Sequence, residues 1–309
     1  MKKFKVLILG SNGLVGKSVH KTLSESDKVS EVFASTRKDA DLFSFEETKT
    51  LLENVKPELI INAAAKVGGI QANNTQRTEF ILENLKINMN LLEAAKDISG
   101  IKIINLGSSC IYPLNAPNPI KESSFLSGML EPTNAPYAMA KITAIEIGRS
   151  IGEQYGTSVL NLMPTNLYGP NDNFSENDSH VIPGLIYRMH NSKIKNETEF
   201  TLWGTGEPLR EFLYSEDLAG AIEFLIDKKL NTDLINIGSG KEISIKDLAD
   251  KIKNVVGYKG QIIFDTSKPD GNPRKLLDSE YINSVGWSSS TSLDEGLDKT
   301  YKWFLENHL

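Results

Sequence analysis

The chain has 309 residues, 39% apolar and 24% charged, enough for a sizeable hydrophobic core in one large or two modest domains. Its net charge of −6 lacks the basic footprint of a general nucleic-acid binder, and no apolar run approaches the roughly 18 residues of a membrane span. A single cysteine leaves no internal disulfide, and the opening MKKFKVLILG is too short in apolar residues for a secretory signal, so a cytoplasmic protein with no nucleic-acid or membrane partner is expected.

In chain order, KVLIL reads as a short buried strand, followed by a glycine turn and an amphipathic stretch to about Leu23. EVFAS, ELIINAAA and IKIINLGSS are further strand candidates, separated by helical patterns of which the clearest runs from Glu79 to about Lys96. This alternation predicts an α/β fold, a Rossmann-type doubly wound parallel sheet with helices on both faces. After TSVLNLMPTNLYG the texture changes. Residues 171–180 are polar and turn-rich, and INIGSG looks like one more strand of the main sheet. EISIKDLADKIKNVVG reads as a strand end leading into a helix, and SLDEGLDKTYKWFLEN as the last helix. The expected organisation is a dinucleotide domain over 1–165, completed by about 210–240, and a smaller C-terminal α/β substrate domain over 166–309.

Gly10, Gly13 and Gly16 form a G-x-x-G-x-x-G spacing between the first strand and its helix. A tight turn, close backbone approach to a pyrophosphate and a helix N-terminus all suit a dinucleotide; the competing reading is a plain β-α turn. After the second strand the chain reads FASTRKDADL, where an NAD site would place an acidic ribose clamp at the strand end. Ser35, Thr36, Arg37 and Lys38 form instead a candidate 2′-phosphate site, which favours NADP(H), against the alternative of a solvated surface turn.

Tyr137 and Lys141, four apart in YAMAK, share a helix face. A lysine ammonium near a phenol of ordinary pKa about 10 favours its ionised form and suits proton exchange with a carbonyl–alcohol pair. Ser108, closing the fourth strand candidate, adds a hydrogen bond to the same oxygen. Two residues on stands the lone Cys110, which by itself reads as a small buried hydrophobe, as His180 in NDSHVIP reads as a surface or capping histidine.

With these motifs in order, the chain resembles the extended short-chain dehydrogenase/reductase superfamily. NAAAKVGGI, LGSSCIYP, EPTNAPYAMAK, MPTNLYGPNDNF, SHVIP, WGTGEPLREFL and KPDGNPRKLLD are similar to the signature segments of GDP-L-fucose synthases, from Gly10 to the C-terminal helix. The resemblance implies conversion of GDP-4-keto-6-deoxy-D-mannose to GDP-L-fucose by inversion at C3 and C5 and reduction at C4 with NADPH. It assigns reduction to Ser108, Tyr137 and Lys141, and the acid/base work of inversion to Cys110 and His180. It implies cofactor contacts from Gly10, Asn12, Gly13, Leu14, Val15, Gly16, Arg37, Asp41, Leu42, Ala64, Tyr137, Lys141, Pro164 and His180. GDP-sugar contacts are implied from Asn166, Arg188, Trp203, Arg210 and Lys275, and no metal is implied. Two positions depart from the pattern: Asn12 stands where some relatives carry an arginine, and Tyr187 beside Arg188 where many have a second one.

The inversion pair also has a case in chemistry. A C4 ketone acidifies the protons on C3 and C5, and inversion needs a base on one face and an acid on the other. Thiol and imidazole both ionise within about two units of neutrality, and nearby positive charge would activate the thiol. A sugar-nucleotide dehydratase would need an acidic pair after the serine, which Ser109-Cys110-Ile111 does not offer. A non-catalytic NADP-sensing module on the same fold has no use for all five reactive residues. A GDP-4-keto sugar reductase without epimerase activity, acting on a GDP-hexose or GDP-heptose, is the close alternative, since one extra carbon needs only a small pocket change. The resemblance further implies a homodimer paired through the Glu79–Lys96 and Tyr137–Tyr155 helices, whose apolar residues beyond one stripe include Leu91, Leu92, Ile145 and Ile147.

Overall fold

The computed structural model describes residues 3–175, 178–268 and 270–308. Glu176 and Asn177 of the polar stretch and Pro269 of KPDGNPRKLLD lie outside the described residues.

The first half runs β1 (Phe4–Leu9), α1 (Leu14–Ser24), β2 (Val29–Ser35), α2 (Phe45–Val55), β3 (Leu59–Asn62), the short α3 (Ile70–Thr75), α4 (Arg77–Ala95), β4 (Lys102–Leu106), α5 (Ala135–Tyr155) and β5 (Ser158–Pro164). Local chemistry sets the helix ends. The Ser44 hydroxyl accepts the Glu47 N–H to start α2, Pro136 lies in the first turn of α5, and Gly156 ends α5 in the left-handed conformation (φ 75°). The chain continues with β6 (Asn166–Tyr168), α6 (Val181–Ile194), β7 (Glu199–Trp203), β8 (Leu209–Tyr214), α7 (Ser215–Leu225), β9 (Leu234–Ile237), β10 (Glu242–Ser244), α8 (Ile245–Val256), β11 (Gln261–Asp265), β12 (Arg274–Lys275), α9 (Glu280–Ser284) and α10 (Leu293–Asn307).

Six strands form one parallel sheet in the order β2-β1-β3-β4-β5-β9, with β9, from INIGSG, at the edge beside β5. The chain reverses its direction of winding between β1 and β3, so the crevice of a doubly wound sheet lies at their C-terminal ends. Apolar clusters cover both faces. One joins β1 to α1 and α7 through Val19, Leu23, Leu218 and Ile222, and the other joins it to α2 and α4 through Leu51, Leu52, Leu91 and Leu92. A separate core unites α6, α8 and α10 through Leu185, Met189, Leu248, Ile252, Leu297 and Phe304. Beside it, β8 pairs with β6, β10 and β12, and β7 pairs with β11.

The residues expected to form an oligomer face do not do so. Leu91, Leu92 and Ile145 are fully buried within the protomer, and Ile147 is half-buried against the cluster that holds Leu91 and Leu92. The cause is that α4 packs against α2 and α5 and shares an apolar cluster with the sheet, so its second apolar stripe is used internally. Leu82, Met89, Met139 and Tyr155 are the large apolar residues that α4 and α5 expose.

Polar residues inside the apolar strands have a common explanation. Asn62, Asn105 and Asn161 stand in register on β3, β4 and β5 and are fully buried. Asn62 Nδ2 donates to Asn105 Oδ1 (2.9 Å) and to Asn88 Oδ1 (3.1 Å), Asn105 Nδ2 to Asn161 Oδ1 (3.3 Å), and Asn161 Nδ2 to the Asp233 carbonyl (3.2 Å). This ladder ties three strands and α4 together under the crevice. Asn105→Ala removes its middle rung and is expected to cost roughly 2–3 kcal/mol, because a buried polar group left without a partner bears its full desolvation penalty. Urea unfolding measures this, and a loss below about 0.5 kcal/mol would show that the ladder is not stabilising.

Candidate active site

A single cavity of about 1970 Å³ lies over the C-terminal ends of β1, β3, β4 and β5 and runs to the second core. Ordinary small-molecule pockets hold roughly 300–1,000 Å³, so this one has room for two ligands side by side. Every residue the sequence assigned to cofactor, substrate or chemistry lines it, with the exception of Lys38 from the candidate phosphate site.

The glycines divide into two kinds. Gly10 has φ 75°, and a Cβ on it would lie 2.7 Å from the Ala64 Cα; a Cβ on Gly16 would run into the Gly10 carbonyl oxygen. Both therefore let β1, β3 and α1 meet backbone to backbone. At Gly13 a Cβ would meet nothing of the protein nearer than 3.6 Å, so its bareness keeps open the path of something outside the protein. Gly13 is the N-cap of α1 and makes no side-chain cap, so the N–H groups of Leu14, Val15 and Gly16 head a positive helix end suited to a diphosphate. Asn12 and Ala64 complete this wall, and these features fit a dinucleotide.

At the end of β2, Ser35, Thr36 and Arg37 face the cavity, with the Arg37 guanidinium 5.6 Å from the Phe43 ring centroid. Lys38 turns its N–H back to Thr36 Oγ1 (3.2 Å) and is not on the wall. The neighbouring acid, Asp39, accepts the Thr36 N–H (2.7 Å) and hydroxyl (2.9 Å), bonds that hold its carboxyl below the ordinary range. That carboxylate is committed to its own turn and is no ribose clamp. Asp41 similarly accepts the Phe43 N–H (3.0 Å), and Asp41 and Leu42 close this end.

The chemistry is gathered at β4 and α5. Ser108 follows β4 and caps a one-turn helix over 109–111, its Oγ accepting the Cys110 N–H at 3.2 Å. Lys141, only 2% exposed, donates to the Leu106 carbonyl (2.8 Å), and burial brings its pKa down to about 8. Its Nζ lies 5.8 Å from the Tyr137 ring centroid. The expected dominance of the lysine over the phenol does not hold. Burial first, then the neighbouring Cys110, pushes the Tyr137 phenol up, against a hydrogen bond with Ser108 that pulls it down. The phenol is thus kept protonated, the form that gives a proton to a ketone. Pro164, ending β5, lines the adjoining wall.

Cys110 is half-buried, and its Sγ accepts a hydrogen bond from Lys275 Nζ at 3.4 Å. His180 is the N-cap of α6; its imidazole opens onto the cavity, yet surrounding protein desolvates it and holds it below its ordinary pKa. Its loop is admitted by two glycines, Gly69 and Gly184, whose role the sequence alone does not reveal. The Gly69 N–H donates to the Asp178 carbonyl (3.2 Å), and a Cβ on Gly69 would lie 2.8 Å from the Ser179 carbonyl oxygen. Gly184 makes the same kind of room, since its Cβ would come within 2.6 Å of Ser179 Oγ.

The far end carries the polar residues expected for a sugar nucleotide. Arg188 stacks over Phe200 (5.0 Å) and Trp203 (6.0 Å), and Trp203 is largely exposed. Tyr187 turns the other way, edge-on to Phe304 in the second core. Arg210 donates to the Leu209 carbonyl (2.8 Å), and burial disfavours its charge, a cost that a bound anion would offset. Sequence reading missed Asp270, which accepts the Thr205 N–H (2.7 Å) and hydroxyl (2.8 Å) and fixes the turn carrying Trp203. It also missed Glu211, whose buried carboxylate accepts the N–H groups of Gly240 (2.7 Å) and Leu277 (3.0 Å). The Glu211 carbonyl accepts Asn166 Nδ2 (2.8 Å) and Thr165 Oγ1 (3.2 Å), which draws Asn166 into the site. A charge inside the apolar run EFLY is its one trace in sequence.

The two kinds of glycine make separable predictions. Gly10→Ala and Gly16→Ala are expected to lower the melting temperature by roughly 5 °C or more, through backbone collision. Gly13→Ala should lower it less than half as far while weakening NADPH binding in a fluorescence titration. Equal melting losses in all three variants would contradict this division.

Comparison with known proteins now bears on this geometry. The NAD dependent epimerase/dehydratase family matches residues 6–238. A GDP-L-fucose synthase of Sinorhizobium fredii is 48% identical over 98% of this chain and 96% of its own. A GDP-L-fucose synthetase from Naegleria fowleri, solved bound to NADP, superposes with a TM-score of 0.92 at 30% identity, over 100% of this chain and 95% of that one. A GDP-6-OMe-4-keto-L-xylo-heptose reductase from C. jejuni superposes with a TM-score of 0.89 at 30% identity, covering 99% of both chains. A match that spans the glycine turn, the Ser-Tyr-Lys cluster and the second core together leaves one assignment: the chain belongs to the NAD dependent epimerase/dehydratase family and, within it, to the GDP-L-fucose synthases.

Proposed function

We propose that the protein converts GDP-4-keto-6-deoxy-D-mannose to GDP-L-fucose, inverting C3 and C5 and reducing C4 with NADPH. The observation that carries this reading is that Ser108, Tyr137, Lys141, Cys110 and His180 line one cavity, beside room for a dinucleotide and a GDP-sugar. When bound, NADPH supplies the hydride that ends on C4. The turn at Gly10, Asn12 and Gly13 and the head of α1 hold its diphosphate, Arg37 its 2′-phosphate, and Lys141 its ribose at the nicotinamide end. The division of labour is a cofactor unit built on the six-stranded sheet and a GDP-sugar unit built on the second core. Arg188 and Arg210 suit the diphosphate, which a guanidinium meets with paired donors, while Asn166 and Lys275 reach the sugar.

The C4 oxygen is the focus of both reactions. Ser108 and Tyr137 are hydrogen-bonded to each other and both serve that oxygen: the serine hydroxyl steadies it, and Tyr137 delivers the proton that completes reduction. Before that, Cys110 removes the acidified proton beside the ketone, and His180 returns one from the other face. An imidazole held below its ordinary pKa is a stronger acid when charged, which suits that role. The heptose reductase among the structural relatives keeps a second reading in view, reduction of a GDP-4-keto sugar without inversion. We further propose a homodimer formed through α4 and α5, where Leu82, Met89 and Met139 leave apolar surface exposed. We place the reaction in the cytoplasm, where the lone thiol stays reduced.

In D₂O without NADPH, the enzyme is expected to exchange deuterium into C3 and C5 of the 4-keto sugar. Cys110→Ser should slow that exchange by roughly 100-fold while still reducing the ketone, and Tyr137→Phe should cut NADPH oxidation by a similar factor with cofactor binding kept. Reduction without any exchange by the unmodified protein would leave the reductase reading standing alone. For the cofactor, NADPH is expected to be preferred to NADH, and Arg37→Ala to shrink the kcat/KM ratio by roughly tenfold; equal kcat/KM for the two in the unmodified enzyme would refute the assignment. Light scattering is expected to give twice the chain mass, and a monomer mass at micromolar concentration would end the dimer proposal.

A further inference from the structure

Lys275 and Cys110 are 165 residues apart in the chain, yet the lysine ammonium donates a hydrogen bond to the cysteine sulfur at 3.4 Å. This contact is prepared from several sides. The Lys275 backbone is pinned on β12 opposite Arg210. The next two N–H groups are taken by Asn118 Oδ1 (2.8 Å) and Glu211 Oε2 (3.0 Å). Across from it, the Glu131 carboxylate lies within electrostatic range of the same ammonium. Glu131 is itself held by the Thr133 hydroxyl (2.6 Å) and the N–H groups of Thr133 and Asn134 (3.1 Å each) at the head of α5. A long, mobile side chain is therefore aimed by a clamped backbone and a fixed opposite charge. The sulfur in turn sits on the turn capped by Ser108 and faces the cavity.

Thiolate, rather than thiol, is the base and nucleophile, and a cation in contact with the sulfur favours it. An ammonium is a compact point charge that can meet a single sulfur atom, where a guanidinium fork is shaped for paired oxygens. We propose that Lys275 holds Cys110 in its reactive thiolate form, with Glu131 positioning the ammonium, so that Lys275 serves inversion and is more than a contact for the GDP-sugar. The proposal rests on the epimerase reading above. In the step it serves, the C–H bond beside the ketone breaks, its proton passes to Sγ, and its electron pair moves onto the C4 oxygen as an enolate. Lys275 keeps all its protons throughout. The imidazolium of His180 then returns a proton to carbon from the other face, and exchange with solvent restores thiolate and imidazolium.

The chain has one cysteine, so alkylation by iodoacetamide reads Cys110 alone in the full-length protein. Without substrate at pH 7, Lys275→Met is expected to slow alkylation by roughly tenfold or more, and Lys275→Arg, which keeps the charge, to recover most of the rate. Glu131→Gln should fall between them. In D₂O exchange with the 4-keto sugar, Lys275→Met should lower kcat for exchange more than it raises KM, and more than it lowers ketone reduction. NADPH titration of each variant verifies the fold. Unchanged alkylation in Lys275→Met, or a defect confined to the KM for GDP-sugar, would overturn the proposal. Absence of exchange in the unmodified enzyme overturns the epimerase reading and the catalytic use of the pair, whereas alkylation by itself decides whether Lys275 controls the thiol.

Discussion

The buried carboxylate of Glu211 holds together segments that the chain order keeps far apart. It reaches from β8 to the N–H after β9, which belongs to the main sheet, and to the N–H two residues beyond Lys275. Its own carbonyl takes Thr165 and Asn166 as the chain leaves β5. Burial disfavours its charge, and directed N–H groups compensate, which is how an ionisable group survives in an interior. Arg210 adjoins Glu211 in β8, Asn166 bonds its carbonyl, and Lys275 lies two residues from an N–H that its carboxylate accepts, so all three positions over the cavity depend on this residue. The site is assembled across a joint between two cores, and Glu211 is the pin in that joint.

Within the cavity, burial decides more than charge pairing does. Tyr137 is kept protonated because its surroundings are poor in water, and the Lys141 pKa is lowered to about 8 by the same cause. A reducing enzyme needs an acid at this position, and desolvation supplies one. The glycine turn follows the same logic of space. Gly10 and Gly16 are bare because backbone would collide with a side chain there, and Gly13 is bare although its nearest backbone atom leaves room for one.

What could be read from sequence was what depends on neighbours in sequence. The glycine spacing, the strand alternation and the four-residue step from Tyr137 to Lys141 are local, and each survives in the fold. Leu91, Leu92 and Ile145 were misjudged because periodicity cannot separate a helix buried on two sides from one with a face left for a partner. Lys38 was misjudged by one position in a turn, where side-chain direction depends on the bond from its N–H to Thr36. The asparagine ladder, Glu211 and the Lys275–Cys110 contact were invisible for a stronger reason. Their meaning lies in registers and crossings set by the whole topology, and no window of sequence contains both partners.

The turn that carries Ser108 and Cys110 has a bearing on how such enzymes diverge. The serine accepts the cysteine's backbone N–H, so the two reactive side chains stand on one rigid three-residue unit. With the roles proposed above for Ser108 and Cys110, drift in the backbone there would disturb reduction and inversion together, whereas exchange of the side chain at 110 would disturb only one. Lineages that abandon inversion are therefore free to edit one side chain and are held to the same main-chain path. Loss of one activity becomes a single-step event, and its recovery needs little more than the reverse step.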